Sequence, residues 1–266
     1  MITEKLGAAE LLFKAASTMG LRPSWLKHGS IFAIPTQHGE RYVNCSISSM
    51  NSHLSSRMVA DKDAARLVLA RQGFPNLAHL VPSNHAEARA FLAEYKKIVI
   101  KPTRGSNAHD IHIIESPGQL TSFEVQRYIL EEYAPGKEVR YLLLNDKVIG
   151  VHESQYGESV AEDRPLKRIS YPRANWDPEL VAMSLQVARA FGLRFAAVDY
   201  IIGPDGRARI LEVNSSPGMK WFHAPTSGPV VDVARLFLQA MLDDDGRPGA
   251  PAAHRPFAAS PAQAYS

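Results

Sequence analysis

The sequence predicts an α+β protein with two lobes of helix and largely antiparallel sheet. Three observations predict this class. The first half of the chain alternates helical and strand patterns, and the second half contains strand pairs joined by short turns, with one long amphipathic helix between the pairs. The 266 residues are 45% hydrophobic and 21% charged, which is enough apolar material for one or two packed domains.

Composition and charge exclude several classes of function for this protein. Thirty basic and 27 acidic residues leave a net charge of +3, too small to favour nucleic acid or an anionic membrane as the main partner. No apolar run approaches the roughly 18 residues of a membrane span, and the N-terminus lacks the pattern of a signal peptide. The single cysteine, Cys45, cannot form an intrachain disulfide and fits a reducing compartment. We therefore expect a soluble cytoplasmic protein, with a homo-oligomer left open.

The elements of the first half follow from local patterns. An amphipathic helix is predicted from about Thr3 to Ser17, and residues 29–50 form short strands with a turn at Gly39. Asp61 is the predicted N-cap of the next helix. The predicted apolar stripe of that helix consists of Ala64, Leu67 and Val68. A further helix, with the sequence NHAEARAFLAEY, precedes a buried strand, KIVIKP, that ends at Pro102.

The second half is dominated by hairpins. The strand patterns KEVRYLLL and KVIGVHES are joined by Asn145-Asp146, a two-residue connection suited to a hairpin. Asp177 is the predicted N-cap of the clearest helix, with Pro178 at its first position and Gly192 at its end. The apolar face of this helix is Leu180, Met183, Val187 and Phe191. A second hairpin, RFAAVDYIIGPDGRARILEVN, precedes a last helix.

These elements suggest a division of the chain into three parts. Residues 1–60 form a short N-terminal helix and strand region. Residues 61–243 form the main domain, with a small lobe over about 61–128 and a large lobe over about 129–243. Residues 244–266 are rich in Pro, Ala and Gly, lack periodicity, and are predicted to be a disordered tail.

The late hairpin carries the most informative polar side chains. Glu212 and Asn214 lie two apart on one strand and therefore share a face. With the turn centred on Pro204-Asp205, Asp199 is predicted to face Ile210 and to be a diagonal neighbour of Glu212. Carboxylate and amide oxygens suit a hard cation such as Mg²⁺. The alternative is a solvated face with Asp199 paired to an arginine. The apolar neighbours of both acids favour a metal site, because a buried unpaired carboxylate is costly.

Two further segments carry candidate binding groups. Lys101 ends an apolar strand and precedes a loop with Gly105, where an ammonium and backbone N–H groups could meet phosphates. The alternative is a surface lysine before a loop. Glu138 and Arg140 share a strand face, so they could point together into a cleft or form an ordinary cross-strand ion pair.

Taken in order, four motifs resemble the ATP-grasp superfamily: IVIKP, LEEYAPGKEVR, AAVDYII and ILEVNSSPG. The resemblance covers roughly Tyr42 to Leu242. Within the superfamily the chain is most similar to amino-acid ligases, namely the ribosomal-protein glutamate ligase and the ATP-grasp modules of cyanophycin synthetase and of the fused bacterial glutathione synthetase. It implies an ATP-grasp fold in which two α+β lobes grip the nucleotide between antiparallel sheets, here with an abbreviated N-terminal region.

The resemblance also implies a set of site residues. The ATP contacts are Lys62, Lys101, Gly105, Glu131, Glu132 and Glu138. Among these, the two lysines contact phosphates, Glu131 and Glu132 lie in the segment that holds adenine largely by backbone groups, and Glu138 binds ribose. The magnesium ligands are Asp199, Glu212 and Asn214. The catalytic position that the resemblance implies is Arg140, and Arg168 is added as a substitute for a family position, as described next.

The implied activity is an ATP- and Mg²⁺-dependent ligase, with Mn²⁺ as an alternative ion, that joins a carboxylate to an amine through an acyl-phosphate. Its partners are small-molecule substrates or a peptide. Two features depart from the family pattern. The phosphate loop keeps only Gly105, and the usual arginine-and-asparagine stretch between residues 152 and 176 is absent. Arg168 is the predicted substitute, ahead of Lys167 and Arg173. Two alternative functions are a nucleotide-binding protein without turnover and a modifier that adds amino acids to a protein tail.

Overall fold

A computed structural model describes residues 6–105, 110–121, 124–156 and 166–243. Its helices are α1 (Ala8–Thr18), α2 (His53–Ala60), α3 (Lys62–Arg71), α4 (His85–Tyr95), α5 (Pro178–Phe191), α6 (Lys220–His223) and α7 (Val233–Asp243). Its strands are β1 (Ser24–Lys27), β2 (Ile31–Thr36), β3 (Gly39–Asn44), β4 (His79–Leu80), β5 (Ile98–Pro102), β6 (His112–Ile114), β7 (Tyr128–Glu132), β8 (Lys137–Leu144), β9 (Lys147–Gln155), β10 (Lys167–Ser170), β11 (Phe195–Ile202) and β12 (Ala208–Asn214).

The strands form three sheets in which all neighbours are antiparallel. The N-terminal sheet has the order β1-β2-β3. The small sheet has the order β4-β7-β5-β6, and the large sheet has the order β10-β9-β8-β11-β12. Because β7 pairs with β5, the small sheet extends to Glu132. Helices and antiparallel sheets in this arrangement agree with the predicted α+β class.

One face of the large sheet is apolar and packs on α5. Val139, Tyr141 and Tyr200 of the sheet join the side chains of α5 in one core. The predicted caps of α5 are confirmed, since Asp177 accepts hydrogen bonds from the backbone N–H groups of Glu179 and Leu180. Gly192 ends the helix with a left-handed φ of 66°. This helix therefore fixes the back of the sheet and leaves the opposite face for other contacts.

The opposite face of the large sheet changes character along β8. Leu144 and Leu142 pack with Phe195 and Ala197 against the core formed by α1, α7 and the N-terminal sheet. The next two positions on the same face of β8 are Arg140 and Glu138. Because apolar residues cover only one end of this face, its other end is left to charged and polar side chains.

Several local predictions are confirmed and one is wrong. The hairpin at Asn145-Asp146 has positive φ at both residues, 46° and 59°, as a tight turn of this length requires. Asp61 is the N-cap of α3 and accepts a hydrogen bond from Ala64 N. The predicted apolar stripe of α3 is wrong, because Leu67 is 57% exposed while Arg66 is buried. The arginine takes an inward position because its charge is paired inside the protein, as described below.

The predicted division into an N-terminal region, two lobes and a tail stays a prediction. The tail, residues 244–266, lies outside the described residues, and so do Thr3 to Lys5 of the first predicted helix; within the described residues that helix begins only at Ala8. Within the described ranges, no helix combines the length and the apolar character needed to cross a membrane.

Candidate active site

A row of polar side chains crosses all five strands of the large sheet. Antiparallel register places these residues directly opposite one another on neighbouring strands, in the order Ser170, His152, Arg140, Asp199 and Glu212. Directly opposed residues point to the same face. Ser170, His152 and Asp199 are each at most 3% exposed. We call this set the polar row, and it defines the face on which the predicted metal ligands and catalytic arginines meet.

Arg140 and Asp199 form a two-point ion pair at the centre of the polar row. Arg140 Nε and Nη2 each donate to one oxygen of Asp199 at 2.6 Å. Burial alone would lower the pKa of Arg140, but the adjacent Asp199 carboxylate outweighs it and raises that pKa. The structure therefore contains the cross-strand ion pair that was one of the two alternatives for Arg140, and it pairs Asp199 with an arginine, as the alternative to a metal site expected.

The predicted diagonal relation between Asp199 and Glu212 is wrong. The two acids are direct cross-strand partners, because a bulge between Asp199 and Tyr200 shifts the register and brings Tyr200 opposite Ile210. A direct pair brings the two carboxylates closer than a diagonal one. The bulge thus strengthens the case that both can contact one cation.

Glu212 is the best placed of the predicted metal ligands to accept a cation. None of the described residues donates a hydrogen bond to its carboxylate. Burial raises its pKa, the positive charge of Lys101 opposes that rise, and the negative charge of Asp199 adds to it. Asn214 lies two residues further along the same strand, and its Oδ1 accepts from Ser216 N at 2.8 Å. No cluster of three His, Cys, Asp or Glu side chains suits a metal ion in the described ranges. A site here would therefore combine the two carboxylates with the Asn214 amide.

The small lobe presents two lysines near this end of the polar row. Lys62 begins α3, and its Nζ donates to the carbonyl oxygen of Gly105 at 2.9 Å. Burial lowers the pKa of Lys62; the negative charge of Glu212 opposes that change and the positive charge of Lys101 adds to it. The backbone N–H of Lys62 donates to Thr103 O at 2.8 Å, which ties the start of α3 to the segment after β5. The structure thus brings Lys62, Lys101 and Glu212 into electrostatic contact, although they lie far apart in sequence.

Lys101 is held by a buried network that the sequence did not reveal. Its Nζ lies 2.7 Å from one oxygen of Glu131, whose other oxygen accepts from Arg66 Nε at 2.8 Å. Burial tends to raise the pKa of Glu131, but Lys101 and Arg66 together lower it to about 2. The side chain of Glu131 is therefore committed to the protein interior, and its backbone lies on β7 between β4 and β5, so the predicted role near adenine stays a prediction.

Arg66 connects this network to the large sheet. Its Nη1 donates to Asn76 Oδ1 and to Ile210 O, and its Nη2 donates to Leu211 O, all within 2.7–2.8 Å. Ile210 and Leu211 are the two residues before Glu212 on β12. Arg66 was not selected from the sequence, because Glu131, Ile210 and Leu211 lie far from α3 along the chain.

The remaining predicted nucleotide contacts differ in their surroundings. Glu132 accepts from Ala78 N at 3.0 Å and pairs with Arg209 at 3.0 Å near the surface. Glu138 accepts from Ser154 Oγ at 3.0 Å and from the Tyr156 hydroxyl at 2.5 Å. Glu138 thus lies beside the polar row, while Glu132 lies at the rim of the small sheet.

Arg168 lies at the opposite end of the polar row from Glu212. Its Nη1 lies 3.0 Å from His152 Nε2, donates to Ser154 Oγ, and lies 3.9 Å from a Glu138 oxygen. Its guanidinium also faces the Trp221 ring at 5.8 Å from the centroid. The structure places Arg168 on the same face as Arg140, as the prediction for both residues requires. His152 and Ser170 were missed, because register between distant strands brings them there.

An α+β fold that brings a lysine of α3 and a lysine of β5 to a carboxylate pair on the large sheet is the arrangement expected of an ATP-grasp protein. The chain belongs to the RimK-like ATP-grasp family, whose model matches residues 59–238. The predicted ATP-grasp fold is therefore confirmed.

Individual relatives agree with this assignment. Over 122 residues, 46% of this chain, it is 30% identical to a protein named probable alpha-L-glutamate ligase 2 from Shewanella frigidimarina (strain NCIMB 400). The chain spans 40% of the length of that relative.

Solved structures also share the fold. The ATP-grasp ligase PsnB, complexed with a phosphomimetic variant of a minimal precursor, Mg and ADP, matches with a TM-score of 0.58 and 21% identity, covering 74% of this chain and 62% of PsnB. The macrocyclase MdnC from Microcystis aeruginosa MRC, bound with the precursor peptide MdnA, matches with a TM-score of 0.62 and 13% identity. That match covers 90% of this chain and 96% of MdnC.

Proposed function

We propose that this protein is an ATP- and Mg²⁺-dependent ligase that joins a carboxylate to an amine. The observation that carries the proposal is the meeting of two lysines from the small lobe, Lys62 and Lys101, with the direct carboxylate pair Asp199–Glu212 of the large sheet. Phosphoryl transfer needs positioned charge of both kinds and no protein nucleophile. This arrangement supplies both.

Asp199, Glu212 and Asn214 would hold Mg²⁺. Their hard oxygen atoms suit this ion, and the half-buried Glu212 carboxylate, which no described residue hydrogen-bonds, would be stabilised by a cation. When bound, Mg²⁺ neutralises charge on transferring phosphate groups. Mn²⁺ favours the same oxygen ligands. Both oxygens of Asp199 already accept from Arg140, so the ion would bind at a remaining acceptor position of this carboxylate, next to Glu212.

Lys62 and Lys101 would bind the phosphates of ATP. Lys101 has three N–H donors, and Glu131 is its one acceptor among the described residues, which leaves two donors for phosphate oxygens. The Gly105 carbonyl, which now accepts from Lys62, marks the loop that would lie beside the phosphates. The adenine and ribose would lie along β7 and the start of β8, beside Glu131, Glu132 and Glu138.

The reaction balances with the groups present. An oxygen of the substrate carboxylate attacks the γ-phosphorus, and the bond between that phosphorus and the β-phosphate oxygen breaks. The products of this step are ADP and an acyl-phosphate. An amine nitrogen then attacks the acyl carbon and phosphate leaves, so that an amide forms and the amine proton passes to the medium. Arg140 and Arg168 would stabilise negative charge on the acyl-phosphate and on the substrate.

The relatives support this proposal through their names. The Shewanella relative is named a glutamate ligase, and the PsnB complex contains Mg and ADP. A second candidate, ligation on a peptide, is favoured by the structures of PsnB and MdnC, which were solved in complex with their precursors. We infer that the substrates are an amino acid or a peptide and an amine, with no nucleic acid or membrane partner.

The test is ADP release by the purified chain with ATP, Mg²⁺ and a panel of L-amino acids, short peptides and amines, followed by mass analysis of the products. We expect ADP and an amide product from at least one pair. ADP release or ATP binding that survives unchanged in the double variant Lys101→Ala/Glu212→Ala would contradict the site. ATP binding without ADP release from any pair would instead favour a nucleotide-binding protein without turnover.

A further inference from the structure

The two arginines of the large-sheet face are held in different ways. Arg140 is paired at two points with the carboxylate of Asp199, so its charge is compensated inside the protein. Arg168 is held through one terminal nitrogen, Nη1, which lies 3.0 Å from His152 Nε2 and donates to Ser154 Oγ. Both of these partners are side chains without a carboxylate. The surroundings of Arg168 therefore fix its guanidinium without compensating its charge directly.

His152 takes part in this contact as a neutral acceptor. An arginine N–H can only donate, so Nε2 of His152 accepts and the ring proton lies on Nδ1. The ring is 0% exposed and lies between Arg140, its direct partner on β8, and Arg168 of β10. Burial, followed by the charges of Arg140 and Arg168, lowers the pKa of His152 well below its usual range. His152 thus holds Arg168 without adding or cancelling charge.

The environment of His152 argues against a role in packing alone. Its ring lies 4.5 Å from the ring of Phe222, measured between centroids. Its Nδ1 has no hydrogen-bond partner among the described residues. A buried donor without an acceptor destabilises a fold, so an apolar side chain would fill this position at a lower cost. A residue that breaks this rule is expected where a function requires it.

The contacts with β9 define the position of Arg168. Ser154 is its direct cross-strand partner, and His152 lies two residues earlier on the same face of β9. These two side chains use both N–H groups of Nη1, and the described residues supply no acceptor for Nη2. The carboxylate of Glu138 lies 3.9 Å from Nη1. We propose that His152 is a positioning residue of the reaction, which acts by holding the Arg168 guanidinium in place for negative charge that develops on the substrate.

This inference rests on the proposed ligase function, and an experiment with two arms separates them. The first arm needs no turnover. It is histidine-selective ¹⁵N NMR of the free chain at pH 7, with the His152 signals assigned by their loss in His152→Gln. We expect a neutral ring protonated on Nδ1, and an Nε2 resonance that shifts in Arg168→Ala. A cationic ring, a ring protonated on Nε2, or an Nε2 resonance that does not respond to Arg168→Ala overturns the inference.

The second arm measures ADP release as kcat and as the KM for ATP. His152→Leu removes the acceptor and keeps an apolar side chain, whereas His152→Gln keeps an acceptor. We expect His152→Leu to lower kcat about tenfold or more with little change in the KM for ATP, and His152→Gln to stay within about threefold of wild type. In an Arg168→Ala background, His152→Leu should lower kcat no further, because it acts through Arg168.

The matched control is His223→Leu at the end of α6. His223 is also largely buried, with 12% of its side chain exposed, and its Nε2 accepts from Ala234 N at 3.0 Å. This variant should lower the urea midpoint and leave the kcat of the folded protein unchanged. A packing role predicts the opposite order for His152, with Leu active and Gln impaired, and that result overturns the inference.

The remaining outcomes are also decisive. A full effect of His152→Leu in the Arg168→Ala background shows that His152 does not act through Arg168 and overturns the inference. If His152→Leu does not fold, the NMR arm and the kcat of His152→Gln decide. The expected NMR result without ADP release from any substrate pair supports the contact between His152 and Arg168 and contradicts the ligase proposal.

Discussion

Replacing Glu131 by glutamine tests the buried network that holds Lys101. The change keeps the shape of the side chain but removes the charge that Lys101 and Arg66 share, at 2.7 and 2.8 Å. The pKa of Glu131 falls from its ordinary value of 4.5 to about 2 in the folded protein. That difference corresponds to about 3 kcal/mol of stabilisation by the ionised carboxylate. We therefore expect Glu131→Gln to lower the free energy of unfolding by about 3 kcal/mol at pH 7.

The pH dependence of this loss has a definite sign. The folded pKa lies below the unfolded one, so the stabilisation is complete above about pH 4.5 and is lost as the pH falls toward 2. The gap between wild type and Glu131→Gln should therefore shrink to roughly half its neutral value by pH 3. Urea unfolding at pH 7 and pH 3, followed by the fluorescence of Trp25, Trp176 and Trp221, measures both gaps.

The neighbouring residue supplies the control. Glu132 pairs with Arg209 near the surface, where both side chains are 21–31% exposed, so Glu132→Gln should cost less than about 1 kcal/mol. A gap below 1 kcal/mol for Glu131→Gln at pH 7, or one that stays constant down to pH 3, would refute the assignment of Glu131 as the shared anion of two buried cations.

Three further predictions concern the metal site and the backbone. Burial raises the pKa of Glu212, so Glu212→Gln should leave the free energy of unfolding in urea without metal equal or higher. Mg²⁺-dependent ADP release should fall at least about a hundredfold. A lower free energy of unfolding in the variant would contradict this prediction. Gly228→Ala should lower the free energy of unfolding in urea by about 2 kcal/mol or more, because φ is +89° and a Cβ would lie 1.9 Å from Ser170 O. Gly118→Ala is the control and should leave that free energy unchanged, because a Cβ there meets open space. Asn51→Leu should cost at least about 2 kcal/mol, since its amide makes four hydrogen bonds to backbone groups; an unchanged urea midpoint would argue against that role.

Local chemistry explains which parts of the fold the sequence predicts. The cap of α5 at Asp177, its end at Gly192 and the turn at Asn145-Asp146 each depend on residues within one turn of chain, and all three are confirmed. The prediction of the apolar stripe on α3 failed because it depends on a residue far away in the sequence. The partner that allows Arg66 to be buried is Glu131, 65 residues away, and no periodicity within α3 reports it.

The residues of the candidate site also fall into those that the sequence predicts and those that it does not. Lys101, Asp199 and Glu212 could be selected from the sequence, because each charged residue interrupts or ends an apolar strand. The register between Asp199 and Glu212 could not be predicted, because the bulge after Asp199 changes which residue lies opposite it. His152 and Ser170 could not be selected at all. They join the polar row only through the pairing of β9 with β8 and β10, which is a property of the whole sheet.

Arg66 links the two halves of the candidate site through one guanidinium. On one side it fixes Glu131, which in turn fixes the Nζ of Lys101. On the other side it binds the carbonyl oxygens of Ile210 and Leu211, directly before Glu212. A displacement of Arg66 would therefore move Lys101, proposed to bind phosphate, and Glu212, proposed to bind Mg²⁺, relative to each other. Because phosphoryl transfer depends on the relative position of these charges, a residue that contacts neither ATP nor Mg²⁺ would still set the geometry of the reaction.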